Sequence, residues 1–222
     1  MALRREVVVS TALRLLNEVG IDGLSTRRLA RELGVQSPAL YWHVKSKREL
    51  LDLMAEAMMA EALPAGRRPA PHDWTIWLAE DAHAKRRALL AYRDGARVHA
   101  GTLPTHNELP AVEAQVRALR EAGFHPREAL RLLLAIDRFV MGWVSEEQAW
   151  LQDAREHAQS PFPDEILEGL PLLTQAADVL RMQDRDADFE YGLQVLIQGF
   201  ERRLGMNTHD VNRKGDPSDP PP

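Results

Sequence analysis

The chain has 222 residues, of which 45% are hydrophobic and 27% charged, and this is enough apolar material to form a core in one small and one larger domain. It contains no cysteine, which excludes disulfide bonds, thiolate metal sites and cysteine nucleophiles and fits a reducing compartment. The N-terminus lacks the apolar run of a signal peptide and no stretch approaches the ~20 apolar residues of a membrane span, so we expect a soluble intracellular protein.

Positive charge is concentrated at the N-terminal end, although the formal net charge of the chain is −5. Residues 1 to 48 contain nine Lys and Arg side chains against four Asp and Glu, which gives this segment a net charge of +5 and leaves −10 for the remainder. A basic head on an acidic body predicts that a polyanion binds at the head, because like charge keeps the body away from it.

Spacing and capping residues predict the first two helices of this head. Apolar residues recur at helical spacing over residues 4–19, and Gly20 is expected to end this helix. Ser25 can cap a second helix, whose apolar positions fall on one side, and Gly34 should stop it. Arginines project from the rest of the surface of this second helix.

A third helix is expected after a tight turn. Ser37 is placed at its capping position, with Pro38 at the first helical position, where a missing N–H costs nothing. Leu40 and Val44 point to one side of a helical wheel. Ser37, Pro38 and Tyr41 point largely to the other side. Two helices joined in this way are typical of the helix-turn-helix, whose second helix enters the major groove of DNA.

The start of the fourth helix carries a pattern that suits a phosphate. Ser46 and Glu49 form a predicted capping box. Lys45, Lys47 and Arg48 lie on the same side of the head as the third helix. Three cations beside the free backbone N–H groups of a helix start favour an anion such as a DNA phosphate.

The remainder of the chain predicts a larger helical domain. Helices are expected over residues 47–62, 74–91, 111–122, 126–152 and 187–204. A Pro/Gly-rich linker precedes the second of these helices, which Asp73 can cap. We therefore predict an all-α protein with a three-helix helix-turn-helix DNA-binding domain over residues 1–46, a larger helical ligand-binding and dimerisation domain over 47–204 and a disordered tail over 205–222.

The final predicted helix carries an apolar stripe. Gly192 and Gly199 on this helix would permit the close approach of a neighbour. The stripe suits a dimer interface, but it could equally pack inside one subunit. Its members are Phe189, Leu193, Leu196, Ile197, Phe200 and Leu204.

Two segments carry a resemblance to a known family. LLNEVGIDGLSTRRLARELGVQSPALYWHVKSKRELLD, residues 15–52, resembles the DNA-binding end of the TetR family, and YRDGARVHAGT, residues 92–102, resembles its tetracycline-sensing branch. The resemblance extends, with gaps, from about residue 4 to residue 204. It implies a transcriptional repressor of the bacterial cytosol that binds a near-palindromic operator in double-stranded DNA as a homodimer and is released by a small antibiotic or metabolite. The implied dimer interface is a two-fold four-helix arrangement of the helix over 126–152 and the final helix over 187–204.

The resemblance also implies which residues face DNA. It assigns Arg27 to a base edge or a nearby phosphate, and Tyr41 and Lys47 to phosphates. Residues 37–39 would read bases. The complete expected DNA-binding set is Thr26, Arg27, Ser37, Pro38, Ala39, Tyr41, His43 and Lys47.

Two positions in the third helix depart from the tetracycline repressors themselves. Those proteins have glutamine and threonine for base reading where this chain has Ser37 and Ala39. We therefore expect a different operator sequence. Trp42, next to this segment, is interpreted as a packing residue rather than a base intercalator.

Four residues match positions that hold a drug–Mg²⁺ chelate in tetracycline repressors. The resemblance implies that His99 binds the metal directly, that Glu146 takes a metal-bound water, and that Thr102 and Gln115 serve the drug or its hydration shell. Residue type alone equally allows a helix-capping histidine and a solvated glutamate. No cofactor is expected to be obligatory, and magnesium is expected only together with an effector.

Three further positions differ from the drug-binding pattern. Tetracycline repressors carry His, Asn and an aromatic residue where this chain has Leu63, Asp81 and Lys85, so tetracycline binding should be severely weakened. Asp81 and Lys85 stand four residues apart and either pair on a helix surface or line a pocket for a more polar ligand.

The long helix predicted over residues 126–152 contains further candidates for a pocket. Asp137 interrupts the apolar stripe of the helix over 126–152 and needs a partner, so we interpret it as a pocket or interface residue. Phe139, Trp143, Glu146 and Trp150 share another face of this helix, which suggests an aromatic-walled pocket with Glu146 at its rim.

Three alternatives stand beside the repressor. The head could be a packing module that contacts no DNA, or a DNA-binding protein could be controlled by a protein partner instead of a small molecule. A helical hydrolase would have to use scattered histidines. Nucleophile elbow, HExxH and Gly-rich phosphate loop are all missing from the sequence, so we predict that the chain is not an enzyme. The scattered histidines are His83, His99, His106 and His125.

Overall fold

The computed structural model describes residues 3–62, 71–102, 104–156 and 162–214, and within these ranges all regular secondary structure is helical. The α-helices in chain order are α1 (Arg5–Gly23), α2 (Thr26–Glu32), α3 (Ser37–Tyr41), α4 (Lys47–Ala62), α5 (Trp74–Leu90), α6 (Gly95–His99), α7 (Leu109–Glu121), α8 (Pro126–Glu156), α9 (Pro171–Gln175), α10 (Ala177–Leu180) and α11 (Arg185–Lys214). Short 3₁₀ turns cover Pro71–Asp73 and Asp164–Leu167. The predicted all-α fold class is confirmed.

Helices α1 to α3 form the head around buried leucines. Ser25 caps α2 as predicted, because its hydroxyl accepts a hydrogen bond of 3.2 Å from the backbone N–H of Arg28. Leu29 on α2 and Leu40 on α3 are both fully buried, and they fix the crossing of the two helices. Gly34 occupies the left-handed region (φ +66) in the turn between them, as expected for a helix stop.

Two predicted helix ends in the head differ from the structure. Helix α1 bends at Gly20 (φ 70, ψ 173) and continues to Gly23 instead of stopping. Ser37 does not cap α3, because the extended residue is Gln36 (φ −76, ψ 147) and Ser37 already lies in the first turn. The backbone turn thus begins one residue earlier than the serine suggested.

The capping box at α4 is present in part. The Ser46 hydroxyl accepts from the Glu49 backbone N–H at 3.1 Å, and the Glu49 carboxylate accepts from the backbone N–H of Lys45 at 2.7 Å. Arg5 on α1 binds the same carboxylate at 3.1 Å. Helix α4 contacts α1 on one side and α5 and α6 on the other, so it joins the head to the body.

The body is organised around α5 and α8, which pack against each other and against α6, α7 and α11. Phe189, Leu193 and Ile197 of the α11 stripe are buried within the chain, which supports the intrachain reading of that stripe. A Cβ at Gly192 would lie only 2.8 Å from the Phe139 ring, so glycine permits this close approach of α11 to α8.

The capping of α5 and the end of α11 both differ from the sequence expectations. Asp73 lies at the capping position of α5, but its side chain makes no capping hydrogen bond. Helix α11 continues beyond residue 204 to Lys214, and residues 215–222 lie outside the described part of the chain. The domain boundaries at residues 46 and 204 stay predictions. None of the described helices is long and apolar enough to cross a membrane.

Candidate functional site

The exposed side of α3 presents the residues expected to face DNA. Pro38 and Ala39 are exposed, and Tyr41 retains 48% of its accessible surface. Leu40 and Val44 are fully buried, which confirms the two-sided helical wheel. The remaining candidates Thr26, Ser37 and His43 are half-buried, and Arg27 and Lys47 are exposed.

The cations of the head divide into paired and exposed groups. Arg5, Arg14 and Arg48 form ion pairs with carboxylates of the head and α4. Arg27 and Lys45 project into solvent beside α3. Exposed positive charge therefore remains available in the head, as a phosphate-binding surface requires.

Trp42 is 87% exposed, so the prediction that it packs inside the protein is wrong. Helix α3 ends at Tyr41, and the following turn carries the indole outward while Val44 turns back into the core. An exposed aromatic ring beside Tyr41 extends the surface available to DNA.

Several of the predicted effector residues converge in the body and form what we call the polar cluster: Asp81, Lys85, His99, Thr102, Gln115 and Asp137. The Lys85 Nζ lies 2.8 Å from Asp137 Oδ1. His99 Nε2 lies 3.9 Å from the same oxygen, and its Nδ1 lies 3.0 Å from the Thr102 hydroxyl. Helices α5, α6 and α8 each contribute one member of this contact.

The second contact of the polar cluster joins α5 to α7. The Gln115 Nε2 donates to Asp81 Oδ2 at 3.4 Å. Asp81 and Lys85 are one turn apart on α5 and so lie on the same face of that helix. Their described partners belong to α7 and α8, so both side chains contact neighbouring helices, and their role in a pocket stays a prediction.

Asp137 has the partner that its position in an apolar stripe required. Burial alone would raise the pKa of Asp137, whereas the neighbouring His99 ring and the Lys85 ammonium lower it. Lys85 is the closer contact, and the net result holds the pKa of Asp137 well below its usual value. The carboxylate is therefore ionised throughout the physiological pH range.

Not every predicted pocket residue joins the polar cluster. Glu146 is exposed on α8, and Leu63 lies outside the described residues. Phe139 and Trp143 pack against Phe189 of α11, with ring centroids 5.3 and 5.7 Å from it, so this aromatic face meets α11 instead of walling a pocket. The prediction of an aromatic-walled pocket is therefore wrong for Phe139 and Trp143, because the neighbour of this face is a helix far away in the chain.

A surface depression of about 670 Å³ lies elsewhere, between the turn at Asp164–Leu167 and α9. It is open and is lined by one continuous stretch of chain that includes Glu168, Gly169 and Pro171. The polar cluster brings together side chains from four helices, with charged groups within contact distance. Convergent polar groups of this kind are typical of a ligand-binding site, so the cluster is the candidate effector site.

Comparisons with known proteins agree with this arrangement. Residues 8–54 match the family described as "Bacterial regulatory proteins, tetR family", and residues 68–204 match "Tetracyclin repressor-like, C-terminal domain". The tetracycline repressor protein class A from transposon 1721 of Escherichia coli is 47% identical over 219 residues, covering 96% of this chain and 98% of the relative. The chain belongs to the TetR family. It is a ligand-responsive transcriptional repressor of this DNA-binding family.

Two solved TetR structures show the same fold. A TetR variant from Acinetobacter baumannii AYE in complex with minocycline has 43% identity and a TM-score of 0.71, covering 91% of this chain and 98% of that one. TetR class A in complex with 5a,6-anhydrotetracycline and magnesium has 40% identity and a TM-score of 0.67, covering 90% and 99%. Both similarities extend over the head and the body together.

The magnesium in one of these relatives raises the question of whether the polar cluster fits a divalent metal. His99 Nε2 and Asp137 Oδ1 face each other, but the Lys85 ammonium already binds that oxygen. Two unit charges of like sign 4 Å apart repel by about 4 kcal/mol at an effective dielectric constant near 20. No group of three or more His, Asp or Glu side chains in the described ranges could hold a metal. A metal ion at His99 would therefore meet the Lys85 ammonium at the Asp137 carboxylate and be repelled by it.

Helix α6 connects the polar cluster to the head of this TetR-family chain. His99 ends α6, and Asp94 at its start accepts from the backbone N–H of Ile21 at 2.8 Å. Arg97 on the same helix forms a two-bond contact with Asp22, with both distances 2.9 Å. One five-residue helix thus carries a cluster residue at one end and contacts to α1 at the other.

A second connection joins the cluster to α4. Arg48 donates a hydrogen bond to the backbone carbonyl of Gly101, between His99 and Thr102. Gly101 adopts the left-handed conformation (φ +71), which the tight turn requires. A shift of this turn on ligand binding would therefore act on α4, which supports the head.

Sequence reasoning missed a buried ion pair beside the cluster. Arg86 donates to both carboxylate oxygens of Glu147 at 3.0 Å and to Asp186 at 2.6 Å, and its guanidinium lies 4.9 Å from the centre of the Phe189 ring. Together these residues form what we call the Arg86 network, which joins α5, α8 and α11. The sequence did contain a signal for the burial of Arg86, because this residue falls at the same helical spacing as the buried residues Leu78, Ala82 and Leu89.

Proposed function

We propose that this chain acts as a homodimer that binds a near-palindromic DNA operator with α3 in the major groove, and that an organic small molecule at the polar cluster releases it. The connection through α6 carries this proposal. His99, a candidate for effector contact, ends α6. Asp94, at the start of α6, binds the backbone of Ile21 in the head. A ligand that binds one position of α6 more tightly than another would shift the equilibrium between the corresponding positions of the head. The size of this shift equals the difference between the two binding free energies.

At the DNA, the exposed face of α3 would read bases and its neighbours would hold the backbone. Ser37 and Ala39 have short side chains, so their contribution to base recognition is shape and one hydroxyl group. Neither can make the two-bond contact that a side-chain amide makes with a base. Arg27 is the candidate for a guanine edge or an adjacent phosphate, and Tyr41 and Lys47 are candidates for phosphates. Thr26, Pro38 and His43 complete the proposed contact surface.

The dimer would use the outer faces of α8 and α11. Tyr191 is 75% and Val195 54% exposed on α11, one turn apart. Gly199 on α11 and Gly142 on α8 have open space around them, so a partner helix can approach closely at both positions. A two-fold axis through this face would set the two heads at a fixed separation, as an operator with two half-sites requires.

The effector would be an antibiotic or metabolite other than the drugs that the solved relatives contain. Those structures hold minocycline, or 5a,6-anhydrotetracycline with magnesium. This chain places an ion pair of Lys85 and Asp137 in the cluster, together with His99, Thr102, Gln115 and Asp81. The expected magnesium, bound through His99 with Glu146 at a metal-bound water, would have to share this site with the Lys85 ammonium. A site of action at the nucleoid of a bacterial cytosol follows from DNA binding.

Selection from random duplex DNA with the purified chain tests the DNA part. We expect one enriched sequence with two-fold symmetry and half-sites one helical turn or a multiple apart. Enrichment of an asymmetric site, or of none, would contradict the proposal. The Arg27→Ala variant, which changes an exposed side chain, should bind the selected site more weakly while keeping its melting temperature.

The selected site then tests the effector part. Loss of fluorescence anisotropy from labelled operator DNA is followed across a panel of antibiotics and metabolites, and each active compound is checked for an increase in melting temperature of the DNA-free protein. A compound that both releases the operator and raises the melting temperature supports a small-molecule effector. Release only by a bacterial protein fraction would support control by a protein partner.

A further inference from the structure

The positively charged ammonium of Lys85 lies beside two potential metal ligands, His99 and Asp137. Its ammonium binds Asp137 Oδ1 at 2.8 Å, and His99 Nε2 faces that oxygen from 3.9 Å. The Thr102 hydroxyl at 3.0 Å from Nδ1 orients the imidazole, so Nε2 points at Asp137 without any metal. A carboxylate and an imidazole nitrogen thus lie together with one positive charge, and this charge belongs to the Lys85 side chain.

We propose that the Lys85 ammonium takes the place of a divalent metal in this chain, so that keto–enol or carboxylate oxygens of the effector bind Lys85 directly and no metal accompanies them. The inference rests on the proposed function, because it assigns a chemistry to the same effector site. It concerns the ligand-binding step alone and does not involve DNA.

Charge and exposure both favour this role for Lys85. An ammonium has three N–H donors, and the bond to Asp137 uses one of them. The Lys85 side chain is 25% exposed, so it is not sealed in the core. Hydrogen bonds from an ammonium to ionised oxygens are short and about twice as strong as neutral ones, so acidic oxygen groups are the preferred partners.

The same contacts disfavour a divalent metal. A half-buried Asp137 needs one cationic partner, and Lys85 supplies it from the adjacent helix. A metal at His99 would compete with Lys85 for the Asp137 oxygen and would be repelled by the ammonium. Removal of the lysine charge should therefore convert His99 and Asp137 into a pair of metal ligands.

The deciding experiment measures how much Mg²⁺ improves the affinity for 5a,6-anhydrotetracycline. The dissociation constant is determined with purified, DNA-free protein in EDTA and in millimolar Mg²⁺, and the ratio of the two values is the magnesium gain. We expect the gain of Lys85→Met to be at least tenfold larger than that of the unmodified chain. A smaller difference, including equal gains, overturns the proposal, and where neither protein binds this drug the Mn²⁺ titration below decides between support and rejection.

Three control variants accompany this measurement. Lys45→Met removes an exposed lysine of the head and should show the gain of the unmodified chain. Lys85→Arg keeps the charge and should keep that low gain as well. Should Lys85→Met fail to fold, Lys85→Gln, which still donates to Asp137 but carries no charge, provides the same comparison.

Titration with Mn²⁺ alone supplies a readout that needs no organic ligand. We expect Lys85→Met to bind Mn²⁺ at least tenfold more tightly than the unmodified chain and to lose this increase in the Lys85→Met/His99→Ala double variant. No increase, or an increase that survives the loss of His99, overturns the proposal. Operator binding is untouched by either result, so failure here is distinguishable from failure of the repressor proposal.

Discussion

Lys85 and Arg86 are neighbours on α5, and they form ion pairs of different kinds. Arg86 binds Glu147 through two hydrogen bonds, and the two side chains are only 8% and 6% exposed. Lys85 makes one contact with Asp137, and these side chains are 25% and 31% exposed. A buried bidentate pair can be broken only at high cost, whereas a half-exposed single contact can be exchanged for a ligand. Burial therefore separates a residue that holds the fold from one that is available for recognition.

The head extends this comparison to a third kind of cation. Arg27 is exposed and projects beside α3. An exposed guanidinium contributes little to folding and remains available for a phosphate or a base edge. The same residue type thus serves the core in Arg86 and the proposed DNA surface in Arg27.

Arg86→Met should produce the largest loss of stability, because it removes the buried ion pair of the comparison. The variant leaves Glu147 buried without its main partner, so we expect the free energy of unfolding to fall by about 3–5 kcal/mol. Urea denaturation followed by circular dichroism measures this change. The Arg86→Met/Glu147→Met double variant removes both charges and should recover most of the loss. A single variant as stable as the unmodified chain would show that the Arg86 network is not structural.

Ser25→Ala should have a smaller effect, in the head. It removes the hydroxyl that caps α2, and we expect a loss of about 1 kcal/mol in the same denaturation experiment. Ser10→Ala is the matched control, because Ser10 is exposed in the middle of α1 and alanine is the better helix former there. Equal losses in both variants would exclude a specific capping role for Ser25.

Lys85→Met should change stability least, because its ion pair is only half-buried. We expect a loss of no more than about 1 kcal/mol in urea denaturation. The size of this loss relative to that of Arg86→Met sharpens the comparison. If the two variants lost equal stability, Lys85 would belong to the core and could not be exchanged for a ligand.

Local sequence signals predicted the head well. The Ser25 cap, the inward positions of Leu40 and Val44 and the start of α4 at Lys47 all depend on neighbours within one or two helical turns. Ser37 was misplaced because serine and the following proline suit both the capping position and the first turn. Trp42 was misjudged because its exposure depends on where the turn after α3 points.

The body was predicted less completely, because its decisive contacts join residues far apart in the chain. Glu147 and Asp186 lie 61 and 100 residues after Arg86. The need of Asp137 for a partner was evident from the apolar stripe, but Lys85 as that partner depends on the packing of α5 against α8. Helix α6 is missing from the predicted helices, since its five residues are too few for a periodic pattern.

The salt dependence of operator affinity tests most directly whether the exposed cations of the head bind DNA. Arg27→Ala is compared with Arg87→Ala, which removes an equally exposed arginine from α5 in the body. For the unmodified chain and both variants, the logarithm of the association constant is plotted against the logarithm of salt concentration. We predict that Arg27→Ala reduces the magnitude of the slope by about 1, whereas Arg87→Ala leaves it unchanged. Equal slopes for all three proteins, or equal changes in both variants, would contradict a DNA surface on the head.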